Sequence, residues 1–259
     1  MINTKPNTLL IRILFMGLFI SLYNCNTEES LTFEKQNITV SEILDCKKNN
    51  CALLEINLLH TIDNTQVSNR INQEVENTVC AILNIGEKGP AKSIEQAITQ
   101  FNNSYVEMSR QFPEEIVPYE ASINCDLSFQ NKSLISIIMD SYTFTGGAHG
   151  SGGVSFININ PKNGKRIVTK NLFKDHLEFK KYAEKIFRKE QNISEEKSIN
   201  STGFFFENDL FTLPDNIGFT DIHVILYYNQ YEISSFADGP VELKIRKEEV
   251  ASLFALTIL

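Results

Sequence analysis

The order in which hydrophobic periodicity changes along the chain sets the tightest limit on its architecture. Ala52-Leu53-Leu54-Glu55-Ile56-Asn57-Leu58-Leu59-His60 is short, apolar and partly alternating, which predicts a strand. Val67, Ile71, Val75, Val79 and Ile82 then recur at helical spacing, behind Asp63 and Asn64 as caps. Gly86 to Pro90 breaks that helix. A second helix opens at Ser93-Ile94-Glu95-Gln96, a capping-box pattern, and carries Ile94, Ala97, Ile98, Phe101, Tyr105 and Met108 on one stripe up to Pro113.

Strands follow in a block. Ile116–Phe129 and Leu134–Thr145 are joined by Gln130-Asn131-Lys132-Ser133. Val154–Asn160 and Lys165–Thr169 are joined by Pro161-Lys162-Asn163-Gly164, where Asn-Gly predicts a tight hairpin, since both residues tolerate positive φ. A third helix is predicted over Asp175–Glu190, with Leu177, Phe179, Ala183, Ile186 and Phe187 inward. Asp221–Ile233 reads as a long strand or bent pair, Val241–Ile245 as an alternating strand, and Arg246–Phe254 as a short closing helix. Helices and strands come in blocks, without regular βαβ alternation. The expectation is therefore an α+β fold, a mainly antiparallel β-sheet with helices packed on one face.

One segment stands outside this pattern. Residues 1–24 hold Lys5, Arg12 and no acid, and Ile13–Ile20 is a continuous apolar run. A positive start before so short a run predicts an export signal, since a permanent span needs about 20 apolar residues. Leu22-Tyr23-Asn24-Cys25 resembles the lipobox of bacterial lipoproteins, which implies cleavage after Asn24 and a diacylglycerol on Cys25. Tyr23 and Asn24 depart from the small residues usual there. Residues 25–37 then read as the lipidated cysteine and a polar linker. Asn26-Thr27-Glu28-Glu29-Ser30 resembles acidic signals that carry some lipoproteins to the cell surface, so the expected site is the bacterial envelope, at the outer membrane.

Charge narrows the classes of partner. The 24 basic and 32 acidic residues of the 259-residue chain give −8; without Lys5 and Arg12 the figure is −10. A nucleic-acid binder needs a basic footprint, and none is present.

With Cys25 assigned to the lipid, Cys46, Cys51, Cys80 and Cys125 remain. An even set in an exported chain predicts two disulfides. Cys46 and Cys51 flank the turn-like Lys47-Lys48-Asn49-Asn50, which leaves Cys80 for Cys125. Free buried thiols and a metal site are the other uses of such residues; the spacing lacks a C-x₂-C pair, which counts against metal.

Chemistry-bearing motifs are sparse. The histidines His60, His149, His176 and His223 form no H-x-x-x-H or H-E-x-x-H pair, and no G-x-S-x-G elbow or Walker loop is present. The unusual stretch is Gly146-Gly147-Ala148-His149-Gly150-Ser151-Gly152-Gly153. A strand follows it, where an anion-binding loop would run into a helix. It reads either as a wide turn or as a contact loop. Tyr227-Tyr228-Asn229-Gln230-Tyr231-Glu232 mixes rings with amides and an acid, and reads either as alternating core residues or as a surface for a sugar or protein. Asp140, Asp221 and Glu232 are the carboxylates that a glycoside-cleaving pair would draw on.

These two stretches also carry a family resemblance. Tyr142-Thr143-Phe144-Thr145-Gly146-Gly147-Ala148-His149-Gly150, with Asn158, Asn163-Gly164-Lys165 and Asn171-Leu172-Phe173, resembles the signature between paired DUF4163 and DUF3298 domains. Tyr227 to Pro240 resembles the DUF3298 ending, with Ser234 and Phe236 replacing the commoner Ala and Tyr. The implied division is a DUF4163-like region over 38–145 and a DUF3298-like region over 146–259.

The resemblance implies an exported α+β module. Such modules form the extracellular part of RsiV-type anti-sigma factors, where they bind lysozyme, and stand beside catalytic domains in some peptidoglycan deacetylases. Here only about ten residues precede the apolar run, and no catalytic domain follows the module. The expected function is thus a non-enzymatic, RsiV-like binding module on a lipid anchor, without cofactor or metal. Its partner is a macromolecule such as lysozyme, or alternatively peptidoglycan. A cell-wall hydrolase acting at His149 is the third reading. The candidate binding residues are Gly146, Gly147, His149, Gly150, Tyr228, Tyr231 and Glu232.

Overall fold

Alternation over residues 52–60 does produce a strand, and its register organises everything before residue 160. In the computed structural model, which describes residues 30–46, 51–86, 89, 91–113 and 117–259, the chain begins with β1 (Phe33–Asn37), a single turn α1 (Val40–Ile43), β2 (Leu53–Thr61), α2 (Gln66–Ile82) and α3 (Ile94–Gln111). Next come β3 (Glu120–Gln130), β4 (Ile135–Phe144) and β5 (Ser151–Ile159). The rest is α4 (His176–Glu190), β6 (Ile217–Phe219), β7 (His223–Tyr228), β8 (Val241–Arg246) and α5 (Lys247–Val250). The expected leader, lipobox and Cys25 lie outside the described residues. Among those described, no helix is long and apolar enough to cross a membrane.

The first five strands form one sheet in chain order. β2 and β3 are parallel; the other neighbours are antiparallel. Parallel neighbours need a long crossover, and α2 and α3 supply it, which puts both helices on one face. Ile71, Val75 and Val79 of α2 and Ile98 and Phe101 of α3 bury against Ile56, Ile123, Ile137 and Ile157 of the sheet. Each such side chain stabilises the fold by roughly 1.5–3 kcal/mol relative to exposure. The fold class is α+β, as the sequence predicts, with one addition: β6, β7 and β8 make a second, antiparallel sheet, over which α4 packs.

The second sheet approaches the large one from its other side. Ser136 Oγ on β4 accepts a hydrogen bond from Phe219 N at 3.2 Å, and Asn158 Nδ2 on β5 donates to Ile217 O at 2.6 Å. Gly218 makes this approach possible: a Cβ there would sit 2.1 Å from the Phe156 ring. Lys247 is buried, and its Nζ lies 3.7 Å from the centroid of Phe129, where a cation–π contact replaces some of its lost hydration.

Several local readings need correction. Residues 33–37, assigned to a linker, form the edge strand β1. Its sequence is polar because one side of the strand faces water. It is pinned by Lys35, which reaches across β2 to Asp126 at 2.6 Å. Thr65, not Asp63 or Asn64, caps α2 by accepting from Ser68 N, while Asp63 accepts from Thr32 N. Ser93 caps α3 as expected, but the Gln96 side chain takes the Lys92 N–H and not that of Ser93. At Asn163-Gly164 only Gly164 has positive φ, and the return chain makes one isolated bridge, Ile159 with Arg166, instead of a strand. Leu177 points outward, 69% exposed, because it falls off the stripe set by Phe179, Ala183 and Phe187.

Cys46 and Cys51 form the expected disulfide, whereas Cys80 and Cys125 are free and buried. A disulfide needs Cα atoms about 4.4–6.8 Å apart. Cys80 is on a helix and Cys125 on a strand of the large sheet, and the packing of those elements leaves the two thiols unbridged. Burial pushes the Cys125 thiol up to about 11, against the pull of the Leu59 amide and Lys35, so the group is an inert core residue.

Candidate binding groove

The glycine-rich loop and the tyrosine-rich tail meet because the two sheets meet. β5 is the outer strand of the large sheet, and β7 is the middle strand of the small one. Asn229 directly follows β7. Its Oδ1 accepts from Val154 N at 2.8 Å, and its Nδ2 donates to Val154 O at 3.1 Å. Asn216, just before β6, accepts from Phe156 N at 2.8 Å and donates to Val154 O at 2.7 Å. Two side-chain amides thus occupy the ladder positions that a sixth strand would take on β5.

The tail motif can be decoded residue by residue. Tyr228 is 1% exposed and its hydroxyl donates to Thr212 O at 2.7 Å. Asn229 fastens the tail to β5. The turn closes through Glu232 N to Asn229 O at 3.1 Å and Asn229 N to Glu232 Oε2 at 2.9 Å. Tyr231, inside that turn, has a φ of 67° and is 60% exposed. Positive φ is a strained state for a bulky residue, costing of order 1–3 kcal/mol, and such strain gathers at functional sites.

Between the loop and the tail lies an open groove of about 390 Å³, lined by Thr143, His149, Gly152, Gln230, Tyr231 and Phe236 among others. The His149 and Phe236 rings stack at 4.1 Å between centroids and 23° between planes. Tyr231 lies 5.5 Å beyond Phe236, tilted by 32°. His149 Nδ1 lies 3.1 Å from Gly150 O, a contact in which the ring N–H donates to the carbonyl. Gly150 lies under the Tyr142 ring, which a Cβ there would approach to 2.4 Å and push aside.

Of the residues singled out from sequence, the structure brings His149, Gly150 and Tyr231 into this groove. Gly146 and Gly147 turn the loop with φ of 94° and 89°. Tyr228 departs from the expectation: it is a core residue, because β7 alternates and its side chain falls on the inner face beside Phe187 and Phe206. Glu232 is exposed but spends its carboxylate on the turn. Partial burial and the nearby Asp215 push its pKa up, and the Asn229 N–H opposes them. Phe236 was noted only as a replacement for Tyr; keeping a ring there was the signal of its role. Asn216 had no sequence signal.

Asp221 and Glu232 do not form a glycoside-cleaving pair. Asp221 precedes β7, beside Lys247, while Glu232 follows β7. A six-residue strand between them spans about 20 Å, well beyond the separations of such pairs. Among the described residues, no group of three or more His, Cys, Asp or Glu side chains is placed to hold a metal ion.

Comparison with known proteins agrees with this two-part build. The family model described as deacetylase PdaC matches residues 46–152, and that described as a protein of unknown function, DUF3298, matches residues 170–248. A solved DUF3298-family structure from Bacteroides fragilis is 18% identical, covers 87% of this chain and 94% of its own, and superposes with a TM-score of 0.65. Another, from Pseudomonas aeruginosa, is 20% identical, covers 87% and 95%, and gives 0.59. At these identities the likeness is one of fold. No curated protein matches the chain.

Proposed function

We propose, for a chain that joins a PdaC-type region to a DUF3298 domain, that it is a non-enzymatic, lipid-anchored module of the bacterial envelope that binds a macromolecule in the groove between its two sheets. The lipid is on Cys25, and the anchoring membrane is the outer membrane. The observation that carries the binding reading is the exposed ring stack of His149, Phe236 and Tyr231, held open by a strained turn. Aromatic faces that are rigid, solvent-exposed and concave are what interfaces use as anchors. They bury apolar area on binding at little cost in side-chain entropy.

The partner is a basic protein of the lysozyme type. The chain without residues 1–24 carries −10, and opposite charge raises the encounter rate and fixes orientation. Pull-down with purified lysozyme at low and moderate salt is the test. Capture at both, weakened by Tyr231→Ala, is expected; no capture at either sinks the reading. Peptidoglycan is the second reading, favoured by the neutral hydroxyl of Thr143 and the neutral amide of Gln230 beside the rings. Co-sedimentation with peptidoglycan separates the two, because a binder of lysozyme alone stays in the supernatant.

A further inference from the structure

The side-chain amides that close the edge of β5 stop one step short of its start. Val154 uses both its N–H and its C=O on Asn229 and Asn216, which shows that this residue faces away from β4. Phe156 N does the same toward Asn216. Backbone groups of an antiparallel edge alternate inward and outward with a period of two. Gly152 therefore also presents its N–H and C=O outward, opposite Tyr142 in a pair that shares no hydrogen bonds. Among the described residues neither group has a partner, and Gly152 is exposed in the groove.

An outward pair of this kind is a place where another strand can bond. Gly152 has no side chain of its own to cover the pair. The Gln230 amide lines the groove on both sides of this point and has no hydrogen-bond partner among the described residues, so it can extend the same ladder. The ring stack stands next to the open edge, where a side chain of the incoming strand would lie.

Charge selects the occupant. Two adjoining concavities share Gly152, Asn229 and Gln230 along this edge, and the second meets a third at Pro240. Their walls hold Asp140 beside the edge and Asp238 further off, and neither lysine nor arginine; Glu242, in the third, pairs with Lys244 at 2.8 Å. We propose that the groove binds an extended, basic segment of polypeptide, which exchanges two backbone hydrogen bonds with Gly152 and lays a side chain on the His149–Phe236–Tyr231 stack. This deepens the binding reading above and rests on it. The mode is addition of a strand to a sheet edge, in which the main chain supplies affinity and flanking pockets supply selectivity.

The test uses the intact protein and a displayed library of random twelve-residue peptides. Enrichment of peptides rich in Lys or Arg and in β-branched residues is expected. Gly152→Pro removes the outward N–H, which proline on an edge strand permits, and should weaken an enriched peptide about tenfold or more. Gly152→Ala keeps that N–H, and its Cβ would meet only Ser141 O at 3.8 Å, so affinity should stay within about twofold. If Gly152→Pro fails to fold, N-methylation of alternate amides of the peptide makes the same cut from the other side. Methylation on one edge should abolish binding and on the other should not.

Failure to enrich any peptide overturns the proposal, as does an enriched peptide indifferent to both Gly152→Pro and N-methylation. Binding of an N-acetylglucosamine tetramer in place of peptide overturns it in favour of a glycan. If lysozyme or peptidoglycan binds and is indifferent to Gly152→Pro, the groove remains a binding site and strand pairing falls. If neither binds, both readings fall.

Discussion

The two hydrophobic cores of this protein are built from different materials. The core between α2, α3 and the large sheet is mostly aliphatic, packed from Ile, Val, Leu and Ala, with Phe101, Tyr105 and Tyr119 as its buried rings. The core under the small sheet is aromatic: Phe173, Phe179, Phe187, Phe206, Phe211, Phe219 and Phe254 fill it, many edge to face. Secondary structure explains the contrast. Two long helices on a flat sheet offer regularly spaced gaps that branched side chains fill. The second core is enclosed by three short strands, one helix and the irregular chain from residue 191 to 216, and large rings fill such uneven space with few residues. The groove belongs to the junction, where regular edge meets irregular loop.

The largest expected effect tests whether these cores are independent. Phe187 touches Phe204, Phe206, Phe211 and Tyr228, so Phe187→Ala should cost about 3–5 kcal/mol. Phe101→Ala in the other core should cost a similar amount, and residues 31–259 form one compact unit. Urea unfolding should therefore show one transition, shifted by either change; two separable transitions would break the idea of a single cooperative unit.

A smaller effect probes the junction itself. Asn229→Ala leaves Val154 N unpaired and removes one of two donors from Val154 O, a loss of about 1–3 kcal/mol. Thermal melting should register it, and lysozyme or peptide binding should weaken with it. A variant that binds normally would place the ligand elsewhere.

The disulfide gives a smaller, local test. Cys46 and Cys51 are five positions apart, so their closed loop is short and Cys51→Ser should cost about 2 kcal/mol. Because Cys51 packs against the aliphatic core, binding at the groove should be unchanged, as read by the same pull-down.

The smallest effect concerns pH. The folded pKa of Glu232 is raised, so the native state holds its proton more tightly than the unfolded chain. Its contribution is therefore present at low pH and is lost as pH rises through the unfolded and then the folded value. Glu232→Gln should remove that pH-dependent loss and leave the protein at least as stable at neutral pH, measured by melting temperature against pH. A steeper loss in the variant would show the carboxylate is needed charged.

Legibility followed the same divide. Helices α2 and α3 were readable because a 3.6-residue stripe must meet a core, whatever that core is. β8 was readable from alternation, and α4 from its Phe179-Ala183-Phe187 stripe. β1 was not: a polar edge strand has one paired neighbour and little apolar signal. In the groove, the glycine loop and Tyr231 were found by motif, while Tyr228 was misplaced by the same motif, since a run of tyrosines does not say which alternate member faces inward.

By itself, then, the sequence determined the α+β class, the Cys46–Cys51 bridge and the two stretches that line the groove, because periodicity, short loops and glycine content are local properties of the chain. Only the tertiary structure decided that those stretches share one groove, that Cys80 and Cys125 stay thiols, and that Asn216 and Asn229 close the β5 edge as far as Val154. Each of these depends on a distance between residues remote in sequence, and such distances are set by how two sheets pack, which no local pattern encodes.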